Sequence, residues 1–250
     1  MNKHIFALYF ADLSHSCLTL EQGYSFCIKQ DQILYRLSTV LRLSVSDHCI
    51  FFDDSVEIFC RIDSFSKKSV ICTIDSFRYH KRKGLRVTAL LPILKKEDFD
   101  SAIYALAAVG VETIQLIITE KTQRSWGRDK DLERAHKIII AAAEQSKYFS
   151  MPLIKPPRPL LEVLGDQNIL STVNIIADPA GAALNEFITT ESIFDTATIL
   201  VGPEGGLTDL EIEHACEVGF KRCALTPTIL KAEHAVIIMS GVLRSISYAK

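Results

Sequence analysis

Two short stretches hold most of the residues able to do chemistry. In the first, an apolar run over Thr198–Val201 leads straight into Gly202-Pro203-Glu204-Gly205-Gly206. Thr208 follows, with Glu211 three positions on, a capping-box pair that predicts a helix start and puts the glycines between a strand end and a helix. In open α/β sheets ligands bind beyond the carboxyl ends of strands. Glycines there let a ligand approach the backbone, and Pro203 stiffens the turn. A phosphate loop is the obvious rival, but the Gly-Lys-Ser/Thr signature is absent and the charge of Glu204 repels phosphate. An acidic glycine loop suits a cationic or neutral ligand; a tight structural turn is the plain alternative.

The second stretch, Leu225-Thr-Pro-Thr-Ile-Leu-Lys-Ala-Glu-His-Ala, also follows a short apolar run and precedes a helical pattern. Lys231, Glu233 and His234 fall at that helix entrance. Alone they read as ordinary end decoration, but two strand–loop–helix junctions so close in sequence point to a shared pocket. A third feature is basic: nine cations and one acid, Asp75, lie between Lys67 and Lys96, with Phe77 and Tyr79 interleaved. That pattern suits a phosphate backbone with a stacked base, or simply a solvated loop. The remaining histidines have no metal or triad spacing, and no Gly-x-Ser-x-Gly or His-Glu-x-x-His occurs.

The elements that must position these residues differ along the chain. Cys49–Phe52, Val56–Ile62 and Ser69–Ile74 are short β-branched and aromatic runs separated by Asp, Ser and Lys, the signal of a small antiparallel barrel or sheet. Gln32–Leu43 is expected to be a short helix ahead of them. From about residue 84 strands and helices alternate: strands at Leu85–Leu91, Thr113–Ile118, Val173–Ala177, Thr198–Val201 and Cys223–Leu225, and helices at Glu97–Val109, Asp129–Tyr148, Asp209–Val218 and Ala232–Tyr248. Alternation of this kind predicts a parallel sheet covered on both faces. Pro156-Pro157-Arg158-Pro159 is expected to split this part into two lobes or to form a rigid loop. The division is thus a β domain over 1–75 and an α/β domain over 76–250.

Composition sets the outer bounds. The 250 residues are 48% hydrophobic and 23% charged with a net charge of −2, an ordinary globular balance that excludes a uniformly basic nucleic-acid coat. The longest apolar stretches fall far short of the roughly 18–20 residues a bilayer requires, so no membrane partner is expected. Asp12 interrupts the apolar run near the N-terminus, which argues against a signal peptide. Seven cysteines without Cys-x-x-Cys spacing read as reduced, buried thiols in a cytoplasmic protein, with no disulfide framework and no metal site.

With these motifs in view, the chain resembles the 16S ribosomal RNA uridine-N3 methyltransferases of the SPOUT, or trefoil-knotted, class. Gly202 through Thr208 is similar to that family's Gly-Pro-Glu-Gly-Gly loop, and Leu225 through Ala235 to its Leu-Gly-x-x-Ile-Leu-Arg-x-Glu-Thr-Ala segment. Ala142-Ala-Glu-Gln-Ser resembles its helix ending in Glu-Gln, and Val40-Leu41-Arg42, Asp47, Phe52-Asp53 and Lys67-Lys68-Ser69-Val70 fit its small domain. The departures are Thr226 for Gly, Lys231 for Arg, His234 for Thr, Arg36 for His, Tyr148 for Arg, and Ala105 and Ala108 for Lys and Glu.

The resemblance implies a PUA-like N-terminal β-barrel that holds RNA and a knotted C-terminal α/β domain that binds S-adenosylmethionine, in a homodimer acting on 16S RNA or the small ribosomal subunit. It also implies roles. Ala177, Pro179, Val201, Gly202, Gly205, Gly206, Leu225, Thr226, Ile229 and Leu230 would hold the cofactor. Glu204 first and Glu233 second are the candidate carboxylates at the reacting nitrogen, and Lys231 the cation stabilising the uracil oxygens. Arg42, Lys81, Arg82, Lys83, Arg124 and Arg128 would contact the RNA backbone. A member of the same fold that binds ribosomal RNA but has lost catalysis is the alternative.

Overall fold

A computed structural model of the chain describes residues 5–11, 13, 17, 20–82, 84–127, 129–187 and 194–248. Two compact units emerge, Met1–Arg82 with Ala143–Ser150, and Lys83–Ala142 with Met151–Lys250. The sequence-expected boundary at residue 75 falls inside a strand that runs on to Tyr79.

The first unit is built on five strands: β1 (Phe6–Tyr9), β2 (Ser25–Ile28), β3 (His48–Phe52), β4 (Val56–Phe65) and β5 (Val70–Tyr79), in the order β1-β3-β4-β5-β2. The β3–β4, β4–β5 and β2–β5 pairs are antiparallel as expected, whereas β1 joins β3 in parallel. Alternation along β4 sends Val56, Ile58, Cys60 and Ile62 into the core, beside Phe51, Cys72 and Ile74. The expected helix over Gln32–Leu43 is shorter and mixed, with α1 (Asp31–Tyr35) passing into a π-helical turn at Arg36–Val40. Arg36, which departs from the family pattern, forms a bidentate pair with Glu144 at 2.8 and 2.7 Å, and Glu144 also accepts the Tyr9 N–H at 2.9 Å.

The second unit is a six-stranded, wholly parallel sheet. Its elements run β6 (Arg86–Pro92), α2 (Lys96–Ala108), β7 (Thr113–Ile118), α3 (Asp129–Ser146), β8 (Leu153–Pro159), α4 (Leu160–Leu164), β9 (Val173–Ala183), α5 (Leu184–Phe187), β10 (Thr196–Leu200), α6 (Asp209–Glu217), β11 (Lys221–Ala224) and α7 (Ala232–Tyr248). α3 straddles the division between the units. Both sheet faces are covered. Val87, Ala89 and Leu91 pack with Phe99 of α2 and Met239 of α7, while Leu90, Ile176 and Leu200 pack with Val163 of α4 and Ala215 of α6. That two-sided burial is why these strands read as continuous apolar runs.

The proline run forms neither a lobe boundary nor a loop. It lies in β8 at the sheet edge, where missing N–H donors are tolerated, and the β7–β8 register slips between Gln115 and Ile117 to accommodate it. The cysteine expectation also needs correction. All seven are free, but only Cys17, Cys49, Cys60, Cys72 and Cys223 are buried, while Cys27 and Cys216 are exposed. No helix among the described residues is long and apolar enough to cross a membrane.

Strand order fixes where a ligand can sit. The sheet runs β11-β9-β10-β6-β7-β8, so the chain leaves β6 toward β7 and leaves β10 in the opposite direction, toward β11. Neighbouring strands whose connections diverge leave a crevice at their carboxyl ends.

Candidate active site

A cavity of about 700 Å³ opens at that crevice, within the second unit. Its walls come from the segments after β6, β10 and β11 and from the Ile176–Pro179 stretch of β9. All ten residues expected to hold a cofactor line it, and so do Glu204, Lys231 and Glu233. The two junctions singled out in the sequence therefore do share one pocket. Ile176, Val201, Leu207, Ile212, Leu225 and Leu230 give it an apolar lining, and the loop backbones supply its polar edges.

The glycine loop is held from both ends. Gly206 sits at φ +71°, a left-handed conformation that L side chains rarely adopt, and its N–H donates to the Pro203 carbonyl at 2.8 Å. The capping box is present: the Thr208 hydroxyl accepts the Glu211 N–H at 3.3 Å, and Glu211 accepts the Thr208 N–H at 2.8 Å. The same buried carboxylate accepts the Glu120 N–H at 2.9 Å, tying the loop after β7 to the start of α6.

Glu204 does something its sequence context did not reveal. Its carboxylate accepts the Lys95 N–H at 2.8 Å, and Lys95 is the residue preceding the first turn of α2. The bond spans the crevice between β10 and β6. It satisfies one of the orphan donors of a helix start and puts negative charge at the positive end of the α2 dipole. One Glu204 oxygen is thus committed to structure.

Lys231 and Glu233 stand at the α7 entrance. The Lys231 ammonium lies 3.4 Å from Glu233 and 3.7 Å from Asp98 of α2, and His234 approaches Glu233 at 3.8 Å. Asp98 first, then Glu233, raise the Lys231 pKa, so the ammonium stays charged. The Glu233 side chain is only 5% exposed, whereas that of Lys231 is 68% exposed, so the acid sits inside and the cation reaches outward.

The third wall is a tight crossing. β9 pairs with β11 up to Ile176–Arg222, slips by several residues, and resumes at Ala182–Cys223. The slipped segment carries Ala177, Asp178 and Pro179 into the cavity. A Cβ at Gly181 would stand 2.3 Å from the Arg222 carbonyl carbon and the Cys223 nitrogen, so only glycine allows this approach. Asp178 accepts from Arg222 Nε at 2.6 Å and from the Ala180 N–H at 2.8 Å. Burial works to raise its pKa, but these bonds hold it below the usual carboxylate value.

Sequence reasoning missed Lys95, Asp98 and Cys223. The available signal for the first two was that β6 also ends in a strand–loop–helix junction. The RNA candidates are scattered. Arg42, Lys81 and Arg82 are exposed in the first unit. Arg124, in the second, is committed locally: it pairs with Asp131 at 2.8 Å, donates to the Leu94 carbonyl at 3.4 Å and lies 5.4 Å over the Phe99 ring. Lys83 and Arg128 lie outside the described residues.

Residues 81–244 match the family model of the RNA methyltransferase domain. The chain belongs to this RNA methyltransferase family. Relatives of the methyltransferase agree along most of its length: a Ribosomal RNA small subunit methyltransferase E of Rickettsia conorii is 28% identical over 87% of this chain and 88% of its own, and the one of Mesomycoplasma hyopneumoniae 25% identical over 88% and 94%. Among solved structures, the Ribosomal RNA small subunit methyltransferase E of Neisseria gonorrhoeae, bound to S-adenosyl methionine, superposes with a TM-score of 0.81 at 24% identity, covering 98% of each chain. A Legionella pneumophila structure in complex with SAM also gives 0.81, at 23% identity over 97% and 98%. These similarities establish the methyltransferase's mixed α/β fold.

Proposed function

We propose that this methyltransferase transfers a methyl group from S-adenosylmethionine to N3 of a uridine in small-subunit (16S) ribosomal RNA. The observation that carries the reading is the convergence of the Gly202–Gly206 and Leu225–Glu233 loops on one cavity at the switch point of a parallel sheet. Its volume lies in the range of small-molecule sites. Its charges also suit a sulfonium. With Asp178 neutralised by Arg222, the lining keeps the carboxylates Asp98, Glu204 and Glu233 against Lys95 and Lys231. The names of the relatives and the S-adenosylmethionine bound by the two superposed structures support the same reading.

The loop backbones over Val201–Leu207 and Leu225–Leu230, with Ala177 and Pro179, hold the adenosine. S-adenosylmethionine supplies an electrophilic methyl: the new N3–C bond forms as the C–S bond breaks, its electron pair staying on sulfur. The N3 proton must leave, and charge disappears as a cation meets an imide anion. The chain's part is to align the atoms, exclude water and attract that proton. Glu233 is the carboxylate that takes it, because it lines the cavity with its side chain buried, whereas Glu204 is committed to the Lys95 N–H. Lys231 stabilises the uracil oxygens. Glu204, ranked first from sequence, instead positions the glycine loop through Lys95.

In this reading the first unit is the PUA-like barrel that grips RNA, with the exposed Phe77 and Tyr79 rings of β5 as stacking platforms and Arg42, Lys81 and Arg82 as phosphate contacts. Lys83 and Arg128, outside the described residues, are further candidate phosphate contacts. Arg124, already paired, contributes by holding its own loop. The parallel sheet is the knotted SPOUT domain, and the enzyme works as a cytoplasmic homodimer. Calorimetric titration with S-adenosylmethionine and S-adenosylhomocysteine tests the assignment. Saturable one-to-one binding of both is expected, and binding of neither overturns it.

A further inference from the structure

Lys95 and Lys121 stand apart from the other cations near the cavity. Both are exposed, and among the described residues neither ammonium is paired with a carboxylate. Lys231, in contrast, is held by Asp98 and Glu233. The two lysines follow β6 and β7, and the glycine loop follows β10; these are three neighbouring strand ends. The Lys95 backbone carries the hydrogen bond to Glu204. The Lys121 stem lies on the glycine loop, its Cβ 3.3 Å from where a Cβ on Gly205 would stand, and its Nζ donates to the Leu207 carbonyl at 3.2 Å. Exposed ammoniums therefore border a cavity whose interior carries Asp98, Glu204 and Glu233.

That partition repels phosphate from the interior and attracts it at the rim. We infer that Lys95 and Lys121 form a phosphate clamp at the mouth of the cavity, taking the RNA backbone beside the target nucleotide so that only its base enters. The clamp rests on the proposed methyl transfer to RNA. An enzyme acting on a base must take it out of its stack. Holding the backbone at the rim lets contacts with phosphate offset that cost without bringing negative charge to the methyl-transfer site. Lysine suits the task as a compact point charge on a flexible stem.

The test uses the full-length enzyme with K121Q, K95Q and the double variant. Neither change removes the Lys95 main-chain donor. Binding to labelled small-subunit RNA is followed across a salt series, and S-adenosylmethionine affinity is measured in parallel. Each substitution is expected to lower the log–log salt slope by about 0.7–0.9 and to weaken RNA binding roughly fourfold near 0.15 M salt. The RNA KM rises in each variant; in K121Q, whose side chain does not line the cavity, kcat at saturating RNA changes little and S-adenosylmethionine affinity stays within twofold. An unchanged salt slope overturns the clamp, as does a loss confined to S-adenosylmethionine affinity, which would reassign the cations to the cofactor's carboxylate. A wild-type enzyme that fails to bind S-adenosylmethionine defeats the functional reading instead, and the salt slopes still judge the clamp.

Discussion

Replacing Glu204 separates a positioning role from proton chemistry. In Glu204→Ala the Lys95 N–H loses its acceptor and the glycine loop loses its tie across the switch-point crevice. Truncating a helix-capping side chain costs about 0.5–2 kcal/mol. The bond is solvent-exposed, so a value near 1 kcal/mol applies, and since about 1.4 kcal/mol is tenfold in an equilibrium constant, S-adenosylmethionine should bind roughly fivefold more weakly. Glu204→Gln keeps an oxygen able to accept the same N–H, so its affinity should stay within about twofold of wild type. Calorimetry reads the affinities and single-turnover methylation at saturating cofactor reads the chemistry. Loss of a general base typically removes about 10²–10⁴ of rate. If Glu204→Gln bound the cofactor normally yet lost that much rate, with a changed pH profile, Glu204 would be the base and the positioning argument would be wrong.

Three further outcomes follow from the packing. Gly181→Ala forces a Cβ to within 2.3 Å of the β11 backbone, and overpacking of this kind costs about 1–3 kcal/mol or more. A clear drop in thermal midpoint together with weaker S-adenosylmethionine binding is expected, and a wild-type midpoint would contradict the tight crossing. In thiol titration near pH 8, Cys27 and Cys216 should react quickly, whereas Cys223 and Cys17, pushed by burial up to about 11 and about 12, should react only on unfolding; rapid labelling of Cys223 would refute its burial under β9. Burial pushes His80 below its ordinary value of 6.5, against the upward pull of Glu57, Asp53 and Asp54. A depressed histidine contributes stability that is complete above 6.5 and is lost as pH falls through that value toward its folded pKa. His80→Gln should therefore flatten the decline of stability on the acid side of pH 6.5, and an unchanged acid limb would contradict the assignment.

Much of this site was legible because local and global signals agreed. Thr113–Ile118 and Ala232–Tyr248 form the elements their patterns announce, and the Thr208–Glu211 capping box places the glycine loop to the residue. β9 was half legible. Val173–Ala177 reads as a strand, but Asp178-Pro179 hides its continuation, which depends on a register slip set by β11 rather than by local sequence. β8 was misread because Pro156 and Pro157 argue against a strand unless the strand is known to lie at an edge, and edge position is a property of the whole sheet. The π-helical turn at Arg36–Val40 carries no periodicity that separates it from an α-helix. In the site, residues close to the glycine loop in sequence were found, whereas Lys95 and Asp98 were not, since only the β6–β10 pairing brings them there. The hydrogen bond of Glu204 was hidden for the same reason: its partner is 109 positions away.

The most direct test is mass mapping of modified nucleosides in small-subunit RNA incubated with the purified enzyme and S-adenosylmethionine. A single new methyl on N3 of one uridine, absent without enzyme or donor and abolished when Lys231 and Glu233 are both replaced, is the expected result. Methyl incorporated at another atom, or none at all while S-adenosylmethionine binds normally, would contradict the reaction assigned to the pocket.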